Sequence, residues 1–154
     1  DAGDDASAEE AGPEPDVMTD AALAFLREPD PRPFALSLHF RAPHTPYGPV
    51  PEHDMAPFRD AAVTIPVFPG LDQAQVRQWT REYYASVDSI DRNILRVLDV
   101  LQQSGLDRST IVIFTSDHGY NIGHHGIHTK GNGTWVAGGV NGPTMPNMFD
   151  TSLK

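Results

Sequence analysis

Residues 117–130 read DHGYNIGHHGIHTK, which places one aspartate, four histidines, three glycines and a lysine in fourteen consecutive positions. Few local compositions carry so many groups able to bind a metal or an anion. Asp117 and His118 offer a carboxylate oxygen beside an imidazole nitrogen, and Gly119 lets the chain turn away. Such a pair makes half of a divalent cation site, the aspartate favouring calcium or magnesium and the histidine widening the choice to manganese or zinc. The same dipeptide would also suit a helix cap with a packed histidine, and the residues alone leave both open. His124, His125 and His128 add ring nitrogens, enough in principle for a three-histidine zinc site. The preferred reading gives one of them a contact to substrate or to another site residue and leaves the others as surface or supporting groups. Lys130 lies in KGNGTW, where glycines permit close backbone approach to an anion and the ammonium supplies a point charge. The spacing is not that of a Walker loop, and an ordinary solvated lysine is the alternative.

A second candidate stands apart. His44 lies in APHTPY, with Pro43 and Pro46 stiffening its backbone. A histidine presented rigidly suits general acid work or a hydrogen bond to a leaving-group oxygen; packing within a proline-rich loop is the competing account. Arg41, His39 and His53 lack comparable context and read as structural. Trp79, Tyr83, Tyr84, Met145 and Met148 read as core packing.

These groups need elements to hold them. FALSLHF, residues 34–40, and STIVIFTS, residues 109–116, are short apolar runs bounded by turn residues or charge, which fits two buried strands. DVMTDAALAFLRE, residues 16–28, predicts a short helix with Thr19 or Asp20 able to cap it. From Asp72 to Ser104 apolar residues recur at steps of three or four: Tyr83, Val87, Ile90, Ile94, Val97 or Leu98, and Leu101. That is one long amphipathic helix, closed by Gly105. Half of the chain's 14 prolines fall between residues 41 and 70, so this stretch is expected to be a long ordered loop. A strand, a crossover containing a helix and a second strand describe a parallel pair in an α/β sheet, where function collects beyond the carboxyl ends of the strands. His44 and the pair Asp117, His118 would then share one sheet edge. Two parallel strands cannot complete a buried sheet, so the sequence reads as part of a larger domain.

Composition narrows the field. Of the formal charge of −10, most belongs to residues 1–20, which hold eight acids and no base; the remainder has 13 acids and 11 bases. Residues 1–15 are expected to form an acidic mobile segment. Nothing resembles the basic face of a nucleic-acid binder, so no nucleic-acid partner is expected. No apolar run is long enough to span a membrane. The chain has no cysteine, which removes disulfides, thiolate metal sites and a cysteine nucleophile from these 154 residues.

Taken as a set, FALSLHFRAPHTPY, the stretch REYYASVDSIDRNILRVLDVLQQSGLDRSTIVIFTSDHGYNIGHHGIHTKGNGTW, and NMFDTSLK resemble the sulfatase family of the alkaline phosphatase superfamily. The resemblance implies an α/β fold, a partial alkaline phosphatase-like sandwich with parallel strands and flanking helices, covering residues 16–154 and incomplete at both ends. It implies a divalent cation, usually calcium, on Asp117 and His118. His44 would hydrogen-bond the sulfate ester near its leaving oxygen, Lys130 would contact the sulfate, and His125 would be a further substrate-binding group. The family's nucleophile is a formylglycine made from a Cys/Ser-x-Pro-x-Arg motif. No such motif occurs here, so the nucleophile is expected in a missing N-terminal part and the fragment alone is expected to be inactive. The implied substrate is a small-molecule or carbohydrate sulfate ester. A phosphoester or phosphonate ester hydrolase of the same superfamily, and a non-catalytic metal- or anion-binding remnant, are the alternatives.

Overall fold

In the computed structural model, residues 13–28, 30–130 and 134–136 are described. The described residues of 1–51 and 86–110 form one compact unit, and those of 52–85 and 111–154 a second.

In the first unit, α1 spans Glu14–Arg27. Its N-cap is Pro13, with no side-chain cap, and Pro15 stands in the first turn, where a missing N–H costs nothing. Thr19 and Asp20, expected as caps, instead lie inside the helix: Thr19 is fully buried, and Asp20 pairs with Arg96. Helix α3, Gln73–Gln103, lends its second half to this unit. Leu23 and Leu26 of α1 pack with Val100 and Leu101 of α3, and Val97 and Leu106 flank them. Burial of each such side chain is worth about 2 kcal/mol. Beside this apolar patch the facing surfaces are small and polar. Asp16 accepts hydrogen bonds from both Arg92 terminal nitrogens (2.6 and 3.1 Å) and from Asn93 Nδ2 (3.2 Å). The Arg92 guanidinium outweighs desolvation and, with Asn93 and Arg96, holds the Asp16 carboxyl below its usual range. Gly105 follows the helix with φ +69°, in the left-handed region expected of a closing glycine.

In the second unit, Asp72 caps α3, its Oδ1 accepting the Gln75 backbone N–H at 3.0 Å. The proline-rich loop contains the short helix α2, Glu52–Met55, and is pinned by arginines of α3. Arg77 donates to the Val63 carbonyl (3.0 Å), and Arg81 donates twice to that of Ala61 (3.0 and 2.8 Å). The sheet is a three-stranded antiparallel one, with β1 (Asn121–Ile122), β2 (Ile127–Thr129) and β3 (Thr134–Trp135) in that order. Its register pairs Asn121 with Thr129, Ile122 with His128, and Ile127 with Trp135.

Two expectations are corrected. The segments 34–40 and 109–116 carry no strand ladder among the described residues, so the parallel pair that would put His44 and Asp117 on one sheet edge is not formed there. Strand hydrogen bonds run between neighbouring strands, so β-prone residues stay merely extended when no strand lies alongside. Ile111, Val112, Ile113 and Phe114 accordingly remain 56–88% exposed. The buried stripe of α3 also differs from the apolar reading. It runs through Val76, Thr80, Ala85, Ser86, Ser89, Ile90, Asn93, Val100 and Leu101, while Val87 and Leu98 face solvent. Of the expected acidic segment, residues 1–12 lie outside the described residues, and Glu14 and Pro15 belong to α1.

Two glycines allow a direct comparison. A Cβ on Gly123 (φ +85°) would lie 2.9 and 3.0 Å from the Val76 methyls and 3.3 Å from Leu71 Cδ1, whereas one on Gly105 would meet nothing within 4 Å. Gly105→Ala should therefore cost only the left-handed conformation, about 1 kcal/mol, and Gly123→Ala at least about 2 kcal/mol, with equilibrium urea denaturation as the measurement.

Candidate active site

The second unit gathers Asp117, His118 and Lys130. His118 Nδ1 lies 2.8 Å from the Gly119 carbonyl oxygen, which can only accept, so Nδ1 carries a hydrogen and, in the neutral ring, the lone pair is at Nε2. That Nε2 stands 3.3 Å from Asp117 Oδ2, while Asp117 Oδ1 accepts the His118 backbone N–H at 2.9 Å. Two potential donor atoms are thus side by side, each oriented by a backbone partner on its other edge, the arrangement by which proteins fix the tautomer of a ligating histidine. The pair fits as part of a cation's donor set. Among the described residues no third His, Cys, Asp or Glu joins it.

Electrostatics agree with an anionic Asp117. Desolvation pushes its carboxyl up, but His118 in its protonated form, the backbone N–H groups and the Lys130 ammonium outweigh this and hold it below the usual carboxylate range. Lys130 is therefore within electrostatic reach of Asp117. It follows Thr129, a β-branched residue at φ +80°. Holding such a residue in the left-handed region costs about 1–3 kcal/mol and persists only where the surroundings impose it. Here the Asn121 side-chain amide, fully buried, donates to the Thr129 carbonyl at 3.2 Å. The glycines that flank Lys130 on its far side, Gly131 and Gly133, lie outside the described residues.

The remaining histidines part company. His125 sits exposed at φ 57° in the 3-10 turn His124–Gly126. His124, exposed at the surface, is held below its ordinary pKa by partial desolvation and by neighbouring His125. His128 is 8% exposed and stacks on Trp79, with ring centroids 4.0 Å apart and planes 9° apart. Tyr120 meets the same imidazole edge-on at 5.8 Å and stacks on Tyr83 at 6.4 Å. A surface or supporting role for His128 thus becomes a buried one. The signal for it in the sequence was slight: Trp79 and Tyr83, one helical turn apart, mark an aromatic face on α3, but nothing in IHT marks which residue meets it.

In the first unit His44 lines a cleft of about 360 Å³, together with Glu14, Arg41, Tyr47, Ser86 and Ser89. Its Nδ1 donates to the Thr45 carbonyl at 2.7 Å, so its Nε2 can donate to an oxygen only when the ring is protonated. Arg41, read as structural, shares this cleft, and its backbone N–H donates to Glu14 Oε1 at 3.0 Å. His39 and His53 have local partners, Ser37 Oγ at 2.7 Å and Asp54 Oδ1 at 3.3 Å.

Comparison with known proteins converges on one family. The sequence model of the family described as Sulfatase matches residues 4–146. The chain is 34% identical over 93 residues to an endo-4-O-sulfatase of Bacteroides thetaiotaomicron, covering 57% of this chain and 18% of that protein. It is 32% identical over 146 residues to a multifunctional alkaline phosphatase superfamily protein of Trinickia caryophylli, covering 73% and 28%. It is 34% identical over 139 residues to the steryl-sulfatase of Mus musculus, covering 83% and 19%. The chain thus spans between 18% and 28% of the length of these relatives.

Burial of His128 has a measurable consequence. It pushes the imidazole from 6.5 down to about 4, so the unfolded chain binds a proton that the folded one refuses. Stability is complete above about pH 6.5 and falls as pH drops from there towards 4, by about 3 kcal/mol at most. Denaturation midpoints recorded across this range should slope accordingly, and His128→Phe, which cannot titrate, should remove this part of the slope.

Proposed function

Since the chain belongs to the sulfatase family, and with it to the alkaline phosphatase-like α/β class, we propose that the protein carrying these residues hydrolyses a sulfate monoester with a formylglycine nucleophile supplied from outside residues 1–154. The observation that supports this most is the paired presentation of Asp117 Oδ2 and His118 Nε2, 3.3 Å apart, with Lys130 in electrostatic reach. Asp117 and His118 would hold a divalent cation, calcium by the chemistry of the family, and the cation would supply Lewis-acid charge to the ester oxygens. Lys130 would contact the sulfate and stabilise its charge as the S–O bond breaks. His125 is a further substrate-binding candidate on its exposed turn. His44, with Nδ1 committed to the Thr45 carbonyl, would use a protonated Nε2 to donate to the leaving oxygen. Substrates are small-molecule or carbohydrate sulfate esters. No helix among the described residues is long and apolar enough to cross a membrane.

The likeness to a multifunctional member of the superfamily keeps phosphoesters as the second reading, so the assay compares 4-nitrophenyl sulfate with 4-nitrophenyl phosphate. Faster turnover of the sulfate is expected, and a clear preference for the phosphate would reverse the assignment. Asp117→Ala and Lys130→Ala should each lower kcat/KM about 100- to 1,000-fold. His44→Ala separates its role from theirs. The loss should be about 100-fold or more for an alkyl sulfate, whose alkoxide must be protonated to leave, and small for 4-nitrophenyl sulfate, whose phenolate departs unaided. Equal losses on both esters would remove His44 as the acid.

A further inference from the structure

The hairpin β1–β2 begins just after one candidate pair and ends just before Lys130. Asp117 and His118 precede Tyr120 by two or three residues, and Lys130 follows His128 by two. Both anchoring residues meet in one place: Tyr120 packs edge-on against His128 at 5.8 Å. Both are tied to the same helical face, His128 to Trp79 at 4.0 Å and Tyr120 to Tyr83 at 6.4 Å. Between the two arms, Asn121 pairs with Thr129 in the ladder and its buried amide donates to the Thr129 carbonyl. The left-handed Thr129 then turns the chain where Lys130 departs.

We propose that Trp79, Tyr120 and His128 form an aromatic clamp that positions Lys130 relative to Asp117, with His128 acting as a positioning residue through its flat stacked ring. The proposal rests on the reading of Lys130 as the sulfate contact. It assigns His128 no proton transfer and no bond to substrate. Burial that keeps the imidazole uncharged near neutral pH is consistent with this, because a charged ring would resist the dry stack. What the stack requires is a planar ring of similar size. Phenylalanine should therefore replace histidine, and alanine should not.

The test compares His128→Phe, His128→Ala, Trp79→Phe and Lys130→Ala in the protein carrying these residues, using inorganic sulfate as the probe in ¹H–¹⁵N NMR titrations. The clamp predicts that His128→Ala shifts the Lys130 and Gly119 amide resonances and weakens sulfate binding about 10-fold. It predicts that His128→Phe and Trp79→Phe stay within about twofold of the parent. His128→Ala in the Lys130→Ala background should add little to the loss. A folded His128→Ala protein with Lys130 unmoved and sulfate affinity unchanged overturns the proposal. So does a His128→Phe protein that folds but binds as weakly as His128→Ala, since the imidazole itself would then be required. Should His128→Ala fail to fold, His128→Leu takes its place, being apolar and bulky but not flat, with the same outcomes. If Lys130→Ala leaves sulfate affinity unchanged, the role of Lys130 falls, while the movement of its amide in His128→Ala still decides the clamp.

Discussion

The second unit turns on the stack of an uncharged imidazole against an indole. His128 and Trp79 lie 4.0 Å apart and nearly parallel, and the β1–β2 hairpin carries the candidate groups at its two ends. A three-stranded sheet with strands of two or three residues has few ladder bonds to hold it. Its definition must come from packing against α3, where Gly123 comes so close to Val76 and Leu71 that a methyl group would not fit. Aromatic contact and glycine contact fix the same hairpin against the same helix at two points. The strained Thr129 is tolerated because the hairpin around it is held in this way.

The first unit uses different physics for a comparable purpose. Its helices meet through an apolar cluster at one end of the contact and through Asp16, Arg92, Asn93 and Arg96 beside it. Two small serines, Ser86 and Ser89, are buried on α3, and the same two serines line the cleft that holds His44. A half-exposed ion pair contributes little to stability by itself. Its value here lies in direction, because a guanidinium that donates to both carboxylate oxygens fixes the rotation of one helix about its axis in a way that leucine contacts do not.

Much of this was legible in the sequence, and what was not has a physical cause. The long helix was read to within one residue at either end, since 31 residues of period 3.6 leave few alternatives, and the glycine that closes it was read from residue type. Its buried stripe was misjudged because apolar residues were taken as the markers. Thr80, Ser86, Ser89 and Asn93 are buried, Thr80 and Asn93 by bonding back to carbonyls one turn earlier, while Val87 and Leu98 are not. The strands failed for another reason. Propensity describes a residue's fit to a sheet already present, and Ile111–Phe114 has no ladder among the described residues. The pairing of Asp117 with His118 was legible from adjacency alone, whereas the left-handed turn that precedes Lys130 was not, because threonine is among the residues least expected there.

The tautomers of two histidines show how little would separate the proposed ligand, His118, from the proposed acid, His44. His118 and His44 each commit Nδ1 to a backbone carbonyl, Gly119 in one case and Thr45 in the other. Both rings therefore present Nε2 as the working nitrogen. Beside the Asp117 carboxylate, that lone pair is suited to a cation shared by the two donors. In a cleft also lined by Arg41 and Glu14, with room for an alcohol, the same nitrogen could donate only once protonated. In both places the carbonyl fixes which nitrogen is left for the proposed role, and under the proposal the charge of the neighbours would decide what that nitrogen does.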